Sequence, residues 1–197
     1  TLQIGDGQEI AKATGITTVN DFRSEDVMKG GQGAPLVPIG DRHLFADYPI
    51  CLNIGGIANV SYEYEGKRIA YDICIANQML NYLANKLGYD YDNNGSFARQ
   101  GKVNLDLLKA FNDNSYYDKE APKSLGREFF EKYQHQIIEE SSLDVRDILA
   151  TATEHIASQI VKSTEKLDKS KMHINGGGAK NNYLVERIGE HSKHEVE

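Results

Sequence analysis

Before residue 77 the apolar positions fall in short β-branched runs broken by glycine; after it they recur at three- and four-residue steps. Residues 50–54, 58–64 and 68–73 read as three strands. Gly55-Gly56 separates the first two and Glu65-Gly66-Lys67 the last two, which is the spacing of an antiparallel meander with tight turns. Residues 16–19 read as another short strand, and residues 8–14 as a short helix within a stretch otherwise rich in glycine and turn formers. The run Gly30-Gly31-Gln32-Gly33-Ala34-Pro35 suits no regular element and is expected to be a loop.

Farther along, Met79, Leu80, Leu83 and Leu87 predict a helix that ends with Gly88 at C′. Leu105, Leu108 and Phe111 predict a second helix capped by Asn104, and residues 125–138 a third. The longest stripe, Val145, Ile148, Leu149, Ala152, Ile156, Ile160 and Val161, predicts a helix after Ser141-Ser142. Residues 172–175 read as a strand running into Gly176-Gly177-Gly178, and residues 181–188 as a last helix. Periodicity alone gives an α/β fold with a mixed sheet. Three antiparallel strands followed by helices, a strand, a glycine turn and a helix is the order of a ribonuclease-H-like, actin/hexokinase-type lobe.

Composition narrows the partners. The net charge of −7 leaves no basic excess to neutralise a phosphate backbone or an anionic membrane, so nucleic acid and membrane surfaces are excluded as partners. A nucleotide stays open, because backbone N–H groups supply a local field that net charge does not report. Cys51 and Cys74 lie in apolar surroundings and are expected to be buried and reduced. With no leader-like start and no run of about 18 apolar residues, the expectation is a cytoplasmic protein. The chain opens at Thr1 directly into structured-looking sequence, so an excerpt from a longer protein is expected. The six histidines assemble no metal-ligand spacing, and no metal site is expected from them.

Four segments could carry chemistry. Gly55-Gly56, between two strands, lets backbone approach a bound group and could form a phosphate nest, or could be an ordinary hairpin turn. Gly176-Gly177-Gly178-Ala179-Lys180-Asn181 joins a strand to a helix. It directs helix N-terminal N–H groups outward and could pack a flat ligand against its backbone or be a purely structural strand-to-helix turn; it is neither a dinucleotide fingerprint nor a Walker A loop. Asp72 is a lone carboxylate in an apolar strand, suited to general-base work or simply hydrogen-bonded at a strand end. Arg23, in a mixed-charge turn, could fork onto a carboxylate or phosphate or be merely solvated.

Taken in order, residues 1–6, Asp21-Phe22-Arg23, the 30–38 run, Leu52 to Val60, residues 122–128 and Gly176 to Asn181 resemble the anhydro-N-acetylmuramic acid kinases. The resemblance covers essentially the whole chain, and Asn-Ile-Gly-Gly-Ile-Ala-Asn-Val is its most specific part together with Gly-Gly-Gln-Gly-Ala-Pro. It implies a sugar kinase using ATP and Mg²⁺ that opens an anhydro-amino-sugar with water and phosphorylates O6 in cell-wall recycling. A homodimer is a compatible assembly. It further implies that Asn53, Gly55, Gly56 and Asn59 bind ATP phosphates, and that Gly176, Gly177, Gly178 and Asn181 form the adenosine turn. Asp72 would be the base that activates water, while Arg23, Gly31, Gln32, Gly33 and Asn77 would hold the sugar. Residues 1–48 would complete an N-terminal lobe, and residues 49–197 would form a truncated nucleotide-binding lobe.

Two departures stand out. Where the family commonly reads Phe-Asp-Thr-Gly-Pro-Gly-Asn, this chain has Tyr71-Asp72-Ile73-Cys74-Ile75-Ala76-Asn77. The family's Gly-Thr-Ser-x-Asp-Gly phosphate loop does not occur in it, so turnover is expected only from a longer chain. A non-catalytic binding or assembly module that keeps the fold, and a related sugar kinase, are the competing readings.

Overall fold

The structure, a computed structural model, describes residues 5–197. Residues 1–4 of the first family-like run therefore lie outside the described residues. The chain divides into two compact units, Thr1–Leu36 and Val37–Glu197.

In the first unit, helix α1 (Gly7–Thr14) starts where the Asp6 carboxylate accepts the N–H groups of Gln8 and Glu9 at 2.8 and 3.1 Å. The strand expected at residues 16–19 is not formed. Ile16 and Val19 are 67 % and 70 % exposed, and the described residues of this unit offer no strand to pair with. β-branching favours a strand only where a neighbouring ladder exists. The expected charged turn is instead helix α2 (Phe22–Met28), capped by the Asp21 carboxylate on the Ser24 N–H.

The second unit opens with α3 (Pro38–Leu44), which has Pro at its first turn, where a missing N–H costs nothing. Strands β1 (Ile50–Ile54), β2 (Ile57–Tyr64) and β3 (Lys67–Ile75) then form the expected meander. Helix α4 (Asn77–Lys86) follows, and Gly88, at φ 85°, takes the left-handed position after it. Asn104 caps α5 (Leu105–Asn112) through the Leu107 N–H at 2.9 Å, as its position implied. The third expected helix starts two residues late, at α6 (Arg127–Phe129). It passes through a π-helical turn (Phe130–Gln134) into α7 (His135–Glu139).

Helix α8 (Val145–Thr164) carries its apolar stripe into the core and also buries Thr151, Thr153, His155 and Gln159. Strand β4 (Lys171–Asn175), α9 (Asn182–His191) and the unforeseen two-residue β5 (Glu195–Val196) complete the unit. The sheet order is β3-β2-β1-β4-β5, with β4 parallel to β1 and β5 parallel to β4. β1 is central and covered on both faces, which explains its almost continuous apolar sequence. This is the ribonuclease-H-like order expected from the sequence. Cys51 and Cys74 are buried and unbridged. Among the described residues no helix is long and apolar enough to cross a membrane.

Candidate functional site

The β1–β2 turn and the start of α4 form one piece. α4 has no side-chain cap, and its first N–H groups instead meet the glycine carbonyls of the turn. Asn77 N–H donates to Gly55 O at 3.1 Å, while Ala76 and Gln78 donate to Gly56 O at 2.9 and 3.2 Å. The Gly55 N–H is itself spent on Ile57 O at 3.3 Å, so the turn uses one of the N–H groups that a phosphate nest would need. The Asn77 side-chain amide donates to Ile54 O at 3.2 Å, which ties the helix start to the end of β1.

The glycine triplet crosses the same strand end. Gly176 has φ 84°, and a Cβ there would stand 2.8 Å from the Ile54 carbonyl oxygen. A Cβ on Gly178 would overlap the Ile54 side chain. These two glycines are required by packing. Gly177 is different: it is exposed, and the nearest neighbour of an added Cβ would be the Asn77 amide nitrogen at 3.7 Å. It faces a cleft of about 480 Å³ whose lining includes Asn77, Asn81, Tyr91, Asn94, Lys180 and Asn181. Asn181 itself caps α9 through the Leu184 N–H at 3.1 Å, so much of its side chain is committed to the fold.

A row of polar side chains crosses the otherwise apolar sheet at this end. Asn175, Asn53, Asn59 and Asp72 occupy paired positions on β4, β1, β2 and β3. Asn53 donates to Asn175 Oδ1 at 2.5 Å, and Asn59 lies 3.5 Å from Asn53 Oδ1. A register shift next to Ala58/Asn59 leaves Ile73 as the extra residue on β3 and brings Asp72 opposite Asn59. Bulges re-aim side chains in this way. Asn175 is the member that sequence reasoning missed; strand alternation from Met172 and Ile174 marks it as the polar break before the glycines.

Asp72 is 5 % exposed and is not among the residues lining the Gly177 cleft. Its carboxylate accepts the Leu125 N–H at 2.9 Å. The family's Thr-Gly-Pro-Gly stretch is here Ile73, Cys74, Ile75 and Ala76, all 0–2 % exposed, so these substitutions enlarge the core and do not open a loop.

Arg23, Gln32 and Gly33 line a separate, open depression of about 1080 Å³ within the first unit. There Arg23 Nη1 donates to Gly33 O at 2.5 Å, and Asp26 accepts the Gly33 N–H at 2.7 Å, so the guanidinium holds a loop carbonyl. Gly31 packs on the Asp26 carboxylate and donates its N–H to Asp26 O at 2.8 Å. Among the described residues no group of three His, Cys, Asp or Glu side chains is placed to hold a metal ion.

Comparison with known proteins shows the family. Residues 1–196 match the family model described as anhydro-N-acetylmuramic acid kinase. The kinase of that name from Aliivibrio fischeri is 37 % identical over 97 % of this chain and 54 % of its own length. The one from Gloeobacter violaceus is 40 % identical over 96 % and 53 %. The chain thus spans about half the length of the curated relatives it matches. Among solved structures, the activator of the 2-hydroxyisocaproyl-CoA dehydratase from Clostridium difficile with bound ADPNP has a similar fold. Its TM-score is 0.50 at 17 % identity, over 76 % of this chain and 53 % of that one. Matching motifs in order, with a family match along almost its entire length, the chain belongs to the anhydro-N-acetylmuramic acid kinase family.

Proposed function

We propose that this chain is the nucleotide-binding part of an ATP-dependent kinase that adds water and a phosphoryl group to 1,6-anhydro-N-acetylmuramic acid, giving the 6-phosphate, in the cytoplasm. The observation that carries the reading is Gly177. Packing against Ile54 accounts for Gly176 and Gly178 but not for the glycine between them, which faces a cleft beside Asn77. A bare backbone edge at a strand-to-helix turn suits a flat ribose or base packed against it.

ATP supplies the phosphoryl group. Asn53 and Asn59, on the strand pair that carries the Gly55-Gly56 turn, are the proposed contacts for its phosphates. Mg²⁺ needs only one or two carboxylates when phosphates and waters complete its shell, so no protein cage is required. Asp72, a carboxylate held by a backbone N–H, is the candidate to take a proton from the water that opens the anhydro bridge. The freed O6 then accepts the phosphoryl group. Arg23, Gly31, Gln32, Gly33 and Asn77 are the proposed sugar contacts.

The test uses the full-length protein with ATP, Mg²⁺ and the anhydro-sugar. ADP release and a product heavier by one water and one phosphoryl group support the reading. ADP release with no water gained, or no release at all, overturns it. A second reading, nucleotide binding without turnover, is favoured by the buried Ile73–Ala76 stretch, and the same assay decides between them.

A further inference from the structure

The segment at residues 116–125 overlaps the family-like run at residues 122–128, which the nucleotide cleft does not use. Three hydrogen bonds join it to Asp72. The Leu125 N–H donates to the Asp72 carboxylate at 2.9 Å. The Asp72 N–H donates to Lys123 O at 3.2 Å, and the Tyr116 hydroxyl donates to Asp72 O at 2.6 Å. Asp72 is thus gripped at its N–H, its carbonyl and its side chain by one stretch of chain lying along the outer edge of β3.

The grip is itself anchored. Lys123 Nζ lies 5.4 Å from the Tyr71 ring centroid and 4.9 Å from that of Tyr116, and it donates to Tyr116 O at 3.3 Å. A cation against two rings in a partly buried setting is held more firmly than a solvated lysine. Both tyrosines are buried, so the ammonium ties the strand residue before Asp72 to the element that donates to its carbonyl. Covering a sheet edge needs only backbone contacts; a donor aimed at the one carboxylate in the row is an additional feature.

We infer that Tyr116, Lys123 and the Leu125 N–H are positioning groups for Asp72, fixing the direction of its carboxylate. The inference rests on the reading of Asp72 as general base. Hydrogen bonds to the charged form favour that form, so loosening the segment disfavours ionisation. Tyr116→Phe removes one hydroxyl, and Lys123→Met keeps the apolar stem while removing the charge.

In the full-length protein, each variant is expected to lower kcat by up to about tenfold, the range of one lost hydrogen bond. The KM for ATP should stay within about twofold, and the acid limb of the kcat/KM profile should move to higher pH. Parental kcat and an unmoved acid limb in both variants overturn the positioning role, as does a lower melting temperature with an unmoved limb. Asp72→Asn is measured alongside. If that variant turns over at the parental rate, the base reading itself has failed, and the inference falls with it.

Discussion

Replacing the middle and the last glycine of the triplet should separate binding from folding. At Gly177 an added Cβ meets only the Asn77 amide, at an ordinary 3.7 Å, and the residue is exposed. Gly177→Val should therefore change stability by no more than about 0.5 kcal/mol, as exposed substitutions usually do. A ligand atom resting on the glycine backbone at about 3.5–4.0 Å, however, would be overlapped by the new Cβ and its methyl groups. Nucleotide affinity should fall at least tenfold, about 1.4 kcal/mol. Gly178→Ala should do the reverse. Its Cβ falls on the side chain of Ile54, which is 0 % exposed and has no room to retreat. Overpacking of this kind costs about 1–3 kcal/mol. At about 2–4 °C per kcal/mol for a protein of this size, the melting temperature should drop by roughly 2–12 °C. Thermal melts give the stability, and calorimetric titration with ATP and Mg²⁺ gives the affinity. A Gly177→Val protein that binds ATP as tightly as the parent would refute the cradle and leave the triplet a purely structural turn.

Three further outcomes are expected. Asp72→Asn should cut kcat by about 10²-fold or more while ATP affinity changes little, since an amide still accepts the Leu125 N–H but takes no proton; more than a third of parental turnover would remove Asp72 from the chemistry. Burial lowers the His155 pKa to about 3, below the ordinary value near 6.5, so the unfolded chain binds the extra proton between these values. The stabilisation is complete above pH 6.5 and is lost as pH falls toward 3. Urea midpoints should drop between pH 7.5 and 5, and in His155→Gln the drop should be shallower; an equal drop would exclude His155 as its source. Asp26→Ala removes the acceptor of the Gly33 N–H and should speed proteolytic cleavage in the 30–35 loop, with an unchanged cleavage rate counting against that latch.

What could be read from the sequence follows from what determines each element. β1, β2 and α8 are specified by local apolar period, and their bounds or stripes appear in the chain itself. The caps at Asn104 and Gly88 are local chemistry as well. Residues 16–19 failed because strand formation depends on a partner, and α2 was hidden because its Asp21 cap sits in a run of charges that reads equally well as a turn. At the site, glycine identity pointed to the turn but not to which glycine is free of packing. That distinction depends on Ile54, more than a hundred residues away in sequence and in contact through the parallel β1–β4 pairing. Asn175 was missed for the same reason: its role comes from lying beside Asn53.

The replaced stretch after Asp72 has a consequence of its own. Gly-Pro-Gly between a base and the next helix would leave backbone accessible, whereas Ile73, Cys74 and Ile75 extend β3 into the core and make Ile73 the extra residue of a bulge. The bulge compensates for the extension. An unbulged strand would put Ile73 opposite Asn59 and turn Asp72 to the other face, because a one-residue slip reverses every side chain. With the bulge, the carboxylate keeps its place in the Asn175–Asn53–Asn59 row, and Asn77 still reaches Ile54 O. The cost of holding an ionisable group in an apolar strand is offset by the Leu125 N–H and the grip on the Asp72 backbone. Packing alone would be better served by an apolar residue at position 72 and an unbulged strand, so the core does not account for the buried carboxylate or for the irregularity that aims it.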